Sequence, residues 1–121
     1  MKPGNKTVGA RLRVVLGPDI AIGPGKADLL EGIAETGSIA ASGRRLGMSY
    51  KRAWGLIEDM NRDFGAPLAM TSRGGNQRGG AELTELGRKV LSLYRKMETR
   101  TEKAIEKDVA ALQKLLPRAR R

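Results

Sequence analysis

The sequence contains no cysteine and no histidine, and aromatic residues make up only 3% of its 121 residues. Without these side chains the chain can form no disulfide, no zinc finger and neither a Ser-His-Asp nor a Cys-His nucleophile system. The acidic residues that could be considered for catalysis are Asp28, Glu31, Glu35, Glu58 and Asp59. We interpret them as solvated helix faces rather than a catalytic pair. The sequence therefore predicts a protein that is not an enzyme and holds no metal.

Long apolar segments are also missing. No apolar run approaches the roughly 18 residues that a membrane-spanning helix needs, and no signal-peptide apolar core follows residues 1–7. We therefore expect a soluble protein, without a membrane partner, that is cytoplasmic and associated with the nucleoid. Residues 1–9 are expected to form a flexible N-terminus.

Positive charge is what the chain has in excess. Lysine and arginine number 23 against 13 acidic residues, which gives a formal net charge of +10. An imbalance of this size in one small domain indicates a polyanionic partner, and both nucleic acid and an anionic membrane surface fit the charge. The pattern of elements has to decide between them.

Residues 10–37 indicate a small β element followed by a helix. Two β-branched runs within 10–22 are separated by Gly17-Pro18-Asp19, which is turn chemistry between strands. The triplet at 23–25 breaks the pattern, and apolar residues then recur at helical spacing over 26–36, with Gly37 placed to end the helix.

The next segment indicates two helices joined by a tight turn. Ser38 can cap a short helix over 39–46, which Gly47 closes, and Ser49 can cap a second helix over 50–63. A short helix, a glycine-containing turn and a second helix that begins with polar and basic residues are typical of a DNA-reading helix-turn-helix. The small residue Gly43 falls where the two helices would cross closely.

The remainder indicates a hairpin and a long helix. Strands are predicted over 66–71 and 81–83 around the glycine-rich basic loop 72–80, and a helical pattern over 84–116, interrupted around Thr101, ends at Pro117 before a basic tail. The fold class is mostly α with small β, a winged helix-turn-helix with a long C-terminal helix. The predicted divisions are a flexible N-terminus over 1–9, the winged helix-turn-helix domain over 10–83, the long helix over 84–116 and the basic tail over 117–121.

Candidate DNA contacts come from the helix-turn-helix and from the hairpin, which would act as a wing. Neighbouring helical residues diverge by about 100°, so one of Lys51 and Arg52 is expected to read a base and the other to anchor the backbone. Trp54 is expected in the core, while Tyr50 fits a core or a DNA-facing position. The predicted DNA-binding residues are Ser38, Arg44, Arg45, Ser49, Tyr50, Lys51, Arg52, Arg73, Asn76, Gln77 and Arg78.

The glycine-rich loop has other interpretations. A phosphate-cradling nucleotide loop is disfavoured because no Gly-Lys-Ser/Thr follows. Two Arg-Gly-Gly triplets suggest RNA binding only weakly, and a merely mobile hairpin tip is also possible.

Four parts of the sequence resemble the N-terminal domain of ModE-type molybdate-responsive regulators. They are the segments 36–39, 47–54 and 60–61 and the glycine-rich wing that ends at Leu83-Thr84. The resemblance runs from about Leu12 to Ile105. It implies a winged helix, a recognition helix from Ser49 in the major groove of double-stranded DNA, a wing on the backbone, and a homodimer formed through the long helix.

The apolar residues assigned to the dimer seam are Leu86, Val90, Leu93, Met97, Ile105, Val109 and Leu112. The family's molybdate-binding domains follow this region, and the sequence stops at Arg121. No cofactor is therefore expected. Three arrangements stay open: effector control is absent, it comes from a separate partner, or the oxyanion acts on this short form in a way that the sequence does not reveal. The expected function is sequence-specific transcription regulation at an inverted repeat, with possible involvement in molybdenum-related gene control. The alternatives are a nonspecific nucleoid protein and a module that binds a partner through the long helix.

Overall fold

The structure is a computed structural model that describes residues 6–74 and 77–120. The elements in chain order are β1 (Val14–Gly17), β2 (Ile20–Ile22), α1 (Pro24–Thr36), α2 (Ile39–Arg45), α3 (Tyr50–Phe64), β3 (Ala69–Gly74), β4 (Gln77–Leu83), α4 (Glu85–Leu115) and a final 3-10 turn (Arg118–Arg120). The predicted fold class, mostly α with small β and a long C-terminal helix, is confirmed.

The first hairpin is shorter than the predicted run. β1 and β2 pair antiparallel, with Val14 opposite Ile22 and Val15 opposite Ala21. Helix α1 then begins at Pro24, two residues before the predicted start at Lys26. Proline suits this first helical position because its fixed φ is already helical and its missing N–H has no partner to lose.

The second hairpin is longer than predicted. β3 and β4 pair antiparallel from Ala69 opposite Leu83 to Gly74 opposite Gln77, with an irregularity between Ser72 and Gly74. The sequence pattern placed residues of the glycine-rich segment in a loop because glycine lowers strand propensity. Backbone pairing nevertheless extends β3 to Gly74 and starts β4 at Gln77, while β3 begins at Ala69 rather than at the predicted residue 66.

One core lies between the first three helices and the second hairpin. It consists of Leu29, Leu30, Ile33, Ile39, Ala53, Ile57, Met60, Leu68, Ala69, Ala81 and Leu83. The buried hydroxyl of Ser42 donates to the carbonyl oxygen of Leu29 at 2.8 Å, so the polar group between α1 and α2 is satisfied. This core holds α3 with one face outward.

Helix α4 continues through Thr101, so the single long helix predicted from the sequence is confirmed and the interruption there concerns only the apolar pattern. Its 31 residues span about 46 Å at 1.5 Å per residue. Thr84 caps it by accepting from the amide of Gly87 at 3.0 Å. Thr101 is half-buried, and a polar residue there interrupts an apolar stripe without breaking the helix, because helical hydrogen bonding does not depend on the stripe.

Tyr94 anchors the first half of α4 to the N-terminal region. Its ring is fully buried with Ile22 and Ala27, and its hydroxyl donates to the carbonyl oxygen of Leu12. Burial, together with the charge of Glu98, raises the pKa of Tyr94 to about 12. The contact fixes the hairpin β1–β2 against α4.

Arg95 joins α4 to α1 through three carboxylates. Its guanidinium contacts Asp28 at 2.8 Å, Glu31 at 3.2 Å and Glu98 at 2.8 Å. The Asp28 side chain is only 9% exposed, so the interpretation of Asp28 as part of a solvated face is wrong. Partial burial lowers the pKa of Arg95, but the bonds to Asp28 and Glu98 outweigh it and hold the pKa above its ordinary value.

Within the described ranges, no helix combines the length and apolar character that crossing a membrane requires.

Candidate DNA-binding surface

The turn between α2 and α3 depends on two glycines. A Cβ on Gly43 would lie 3.1 Å from the Cβ of Ala53, so a larger residue would push the two helices apart. Gly47 has φ +70°, a left-handed conformation that side chains disfavour. The amide of Met48 donates to the carbonyl oxygen of Gly43 at 2.9 Å and closes the turn. The predicted close crossing and glycine turn are both confirmed.

Two serines begin the helices of this motif. The hydroxyl of Ser38 accepts from the amide of Ala41 at 3.0 Å, and that of Ser49 accepts from the amide of Arg52 at 3.1 Å. Each satisfies an amide that the helix itself cannot pair. Their assignment to DNA contact remains a prediction beside this capping role.

The first turn of α3 presents a polar and basic face. Tyr50, Lys51 and Arg52 are all exposed, whereas Ala53 is fully buried. Tyr50 is 56% exposed and meets Trp54 edge to face with ring centroids 6.2 Å apart. Trp54 packs half-buried against the core, as the sequence indicated. Its ring therefore supports Tyr50 at the edge of the exposed face.

Arg44 and Arg45 lie exposed in the last turn of α2. Arg45 contacts Glu35 at 3.0 Å, and both side chains are largely in water. An exposed pair of this kind is worth about 0–1 kcal/mol, so it leaves Arg45 available for a stronger anionic partner.

The hairpin β3–β4 is attached directly to the helix-turn-helix. The amide of Ala81 donates to the carbonyl oxygen of Gly37 at 2.8 Å, and Ser38 forms an isolated antiparallel bridge with Gly80. A wing therefore begins next to the start of α2. Of its predicted contacts, Asn76 lies outside the described residues, as do the side chains of Arg73, Gln77 and Arg78.

The residues assigned to a dimer seam fall into different environments. Leu86 and Val90 pack against the main core and Met97 against the Tyr94 cluster, so their apolar spacing is accounted for within one chain. Ile105 and Val109 line an open cavity of about 540 Å³ together with residues 8–10. Leu93 and Leu112 are 50% and 65% exposed.

Sequence reasoning missed two basic residues near α3. Arg13 in the N-terminal segment and Lys26 in α1 line one cavity with Arg52. Arg13 lies between Leu12 and Val14 in the run interpreted as a strand, and no local pattern marks it as a neighbour of α3. The folded hairpin is what brings it to α3.

Another missed residue supports the wing. The side-chain oxygen of Asn61 accepts from the amide of Leu68 at 2.8 Å. The sequence offered Asn61 only as part of a family-like dipeptide, because its partner lies across the loop after α3.

A helix-turn-helix whose second helix has a basic exposed first turn, followed by an attached β-hairpin, defines a winged helix-turn-helix DNA-binding domain. A family model described as the bacterial regulatory helix-turn-helix protein, lysR family, matches residues 26–88. The chain belongs to this family. The family is one of regulators, in agreement with the expectation that the protein is not an enzyme.

Curated relatives sharpen the comparison. The chain is 34% identical over 99 residues to the molybdenum transport protein ModE of Azotobacter vinelandii, covering 73% of this chain and 37% of that protein. It is 40% identical over 77 residues to the molybdenum-pterin-binding protein MopB of Rhodobacter capsulatus, covering 64% and 28%. It is 39% identical over 71 residues to the DNA-binding transcriptional dual regulator ModE of Escherichia coli K12, covering 59% and 27%. The chain thus spans less than two-fifths of these relatives.

Solved structures agree on the fold. The CbnR DBD-DNA complex matches with a TM-score of 0.58 at 24% identity, covering 72% of this chain and 94% of that one. CbnR, a LysR family transcriptional regulator, matches with a TM-score of 0.56 at 24% identity, covering 71% and 28%. The predicted resemblance to ModE-type and LysR-like helix-turn-helix domains is confirmed.

Proposed function

We propose that the protein is a sequence-specific transcription regulator that binds an inverted-repeat operator as a homodimer. The observation that carries this proposal is the exposed first turn of α3, where Tyr50, Lys51 and Arg52 project beside a wing that is bonded to the same motif. Lysine and arginine can donate to guanine N7 and O6, and a neighbouring aromatic ring can contact a thymine methyl. The net charge of +10 adds attraction to any duplex.

The homodimer is supported by the apolar residues of the outer half of α4. Leu112 and Leu115 are 65% and 80% exposed on a helix that extends past the core. A second copy of the helix would cover them, as in other paired amphipathic helices. Two α3 helices related by a twofold axis would then face major-groove segments roughly 34 Å apart, which requires an inverted repeat.

A role in molybdenum-related gene control is the finer part of the proposal. It is supported by relatives whose names refer to molybdenum transport and molybdenum-pterin binding. Control by an oxyanion would then act through a separate effector-binding partner, and a cytoplasmic, nucleoid-associated location fits this function. Titration with molybdate tests it: DNA affinity that changes only when a partner is present supports the arrangement, and indifference under both conditions contradicts it.

Selection of binding sites from a random duplex pool tests the main proposal. We expect enrichment of a symmetric motif with two half-sites one helical turn apart. If no sequence is enriched, the alternative of a nonspecific nucleoid protein, which the high net charge favours, replaces it. Substitutions separate the two further. Under the proposal, one of Lys51→Ala and Arg52→Ala relaxes the base preference at a defined position, whereas under the alternative both variants weaken binding to all DNA sequences equally.

A module that binds a different protein through α4 is the remaining alternative. Sedimentation of the purified chain separates it from the homodimer. A monomer at micromolar concentration, with a stable heteromeric partner recovered from cells, would favour the module.

A further inference from the structure

A basic cavity lies between the helix-turn-helix and the N-terminal part of the chain, beside the DNA-facing helix. Its volume is about 280 Å³, and it is lined by residues from the hairpin β1–β2, the start of α1 and α3. Three of these residues, Arg13, Lys26 and Arg52, are cationic, and none is acidic. They come from three separate parts of the chain, so the cavity exists only in the folded domain.

Among the described residues, no ion pair joins Arg13, Lys26 or Arg52 to a carboxylate. Among the residues that the structure describes, the ion pairs of arginine involve Arg45, Arg62 and Arg95 rather than Arg13 or Arg52. The ammonium of Lys26 donates one bond to the carbonyl oxygen of Ala21 at 2.9 Å. An ammonium has three donors, so two remain for a ligand. Like charges held together repel, and an anion between them removes that cost.

The cavity is continuous with the DNA-facing surface. Arg52 and Leu56 line it and also line a neighbouring concavity with Ser49 and Lys51. No side chain caps the start of α1, and its first turn contains no acidic residue, so nothing there competes with an incoming anion. The space admits a phosphate group with several waters of about 30 Å³ each.

We propose that Arg13, Lys26 and Arg52 form a pocket that holds one phosphodiester of the DNA backbone, next to the major groove that α3 enters. This inference rests on the proposed function and assigns the two cations in the first turn of α3 different tasks. Arg52 anchors the backbone and Lys51 reads a base. Arg13, directly before β1, then contributes a contact that neither the helix-turn-helix nor the wing supplies.

Binding measured against salt tests the pocket. Arg13→Gln removes one charge from an exposed side chain, and Lys107→Gln removes one from the exposed outer half of α4 as a matched control. With the selected duplex and a scrambled one, Arg13→Gln should lower both affinities by the same factor. It should also reduce the slope of log K against log salt concentration by about 0.9, since one phosphate contact is lost. Lys107→Gln should leave the slope unchanged, and an unchanged slope in Arg13→Gln overturns the proposal.

Single methylphosphonates locate the contact. In each half-site one neutralised phosphate should weaken binding of the original protein and have little further effect on Arg13→Gln or Lys26→Gln. Lys26→Gln retains a donor for Ala21, so its folding can be checked by thermal unfolding. Additive losses at every phosphate contradict the pocket.

Two further outcomes distinguish free phosphate from DNA backbone phosphate as the ligand, and failure of the pocket from failure of the proposed function. If inorganic phosphate alone shifts the amide resonances of Gly25 and Lys26 with saturation below about 1 mM and DNA does not displace it, the ligand is a free oxyanion and the backbone assignment fails. If the original protein does not distinguish the selected duplex from the scrambled one, the proposed function fails. The methylphosphonate comparison then still decides the pocket, because backbone contacts do not depend on sequence.

Discussion

At the scale of single residues, the packed first half of α4 depends on two residues that tolerate little substitution, Gly87 near its start and Tyr94 further along. Gly87 lies in the first turn, where a Cβ would be 2.0 Å from the carbonyl oxygen of Leu68 and 2.9 Å from its carbonyl carbon. That oxygen also accepts from the amide of Thr84 at 2.9 Å. The backbone of the loop before β3 therefore occupies the space of the missing side chain.

Gly87→Ala should consequently destabilise the fold by about 2 kcal/mol or more, because backbone rather than a flexible side chain must move. Gly55→Ala is the matched control, since Gly55 is helical and exposed and a Cβ there would meet nothing within 4 Å. It should stabilise the fold by about 0.5–1 kcal/mol through helix propensity. Urea unfolding of both variants checks the pair, and equal effects would refute the crowding at Gly87.

Tyr94 gives the protein a stability change at high pH. Its pKa is raised from 10.0 to about 12, so the folded state retains the phenolic proton that the unfolded chain loses first. Its contribution is fully present below pH 10 and is lost as the pH rises to 12. One pKa unit corresponds to about 1.4 kcal/mol, so the total is up to roughly 2–3 kcal/mol.

Tyr94→Phe isolates this effect. At pH 8 the variant should be about 1 kcal/mol less stable, because the bond to Leu12 is lost. Between pH 10 and 12 the difference should shrink to zero or reverse, since only the tyrosine form titrates. A gap that stays constant in urea unfolding across this range would contradict the raised pKa.

At the scale of elements, the attachment of α4 to α1 depends on Arg95. The Arg95 side chain is 28% exposed and that of Asp28 is 9% exposed, so this pairing is partly shielded from water. Removing one partner of a shielded pair leaves the other uncompensated, which costs more than the pair itself contributes.

Arg95→Leu should therefore destabilise the protein by about 2 kcal/mol, below the 3–5 kcal/mol of fully buried pairs because water reaches part of the site. Asp28→Asn combined with Arg95→Leu should recover part of the loss. Arg62→Leu, which breaks an exposed pair with Asp59, should cost less than about 1 kcal/mol. Thermal unfolding that ranks Arg62→Leu equal to Arg95→Leu would show that the shielding has no effect.

The elements that could be predicted from the sequence are those with local determinants. Ser38 and Ser49 cap the helices that follow them, and Gly47 adopts the left-handed turn its position required. The contacts that could not be predicted join distant parts of the chain. Tyr94 and Leu12 are 82 residues apart, and the cavity that Arg13 shares with Arg52 of α3 exists only in the folded domain. Periodicity reports one face of one element and carries no information on which element covers it.

At the scale of the whole molecule, α4 has a packed first half and an exposed outer half. This arrangement determines how two DNA-facing surfaces would be coupled. Its first half is fixed to the core by Tyr94 and Arg95, while Leu112 and Leu115 lie exposed beyond it. A dimer built on the outer half would transmit its geometry to α3 through the rigid first half. The spacing between half-sites then depends on how the two chains pair, whereas binding to a single half-site depends on one chain alone.

Leu112→Glu should therefore separate the two properties. A charge at a residue that is 65% exposed in the single chain disturbs folding little, but it would be buried when two helices pair. Sedimentation should show a monomer, and affinity for the full inverted repeat should fall by about 100-fold or more, because the second half-site no longer binds as part of one assembly. Affinity for an isolated half-site should be unchanged. Leu16→Glu, at a hairpin residue that is 52% exposed, is the control and should remain dimeric with full affinity. A Leu112→Glu protein that stays dimeric and binds the repeat normally would place the dimer contact elsewhere.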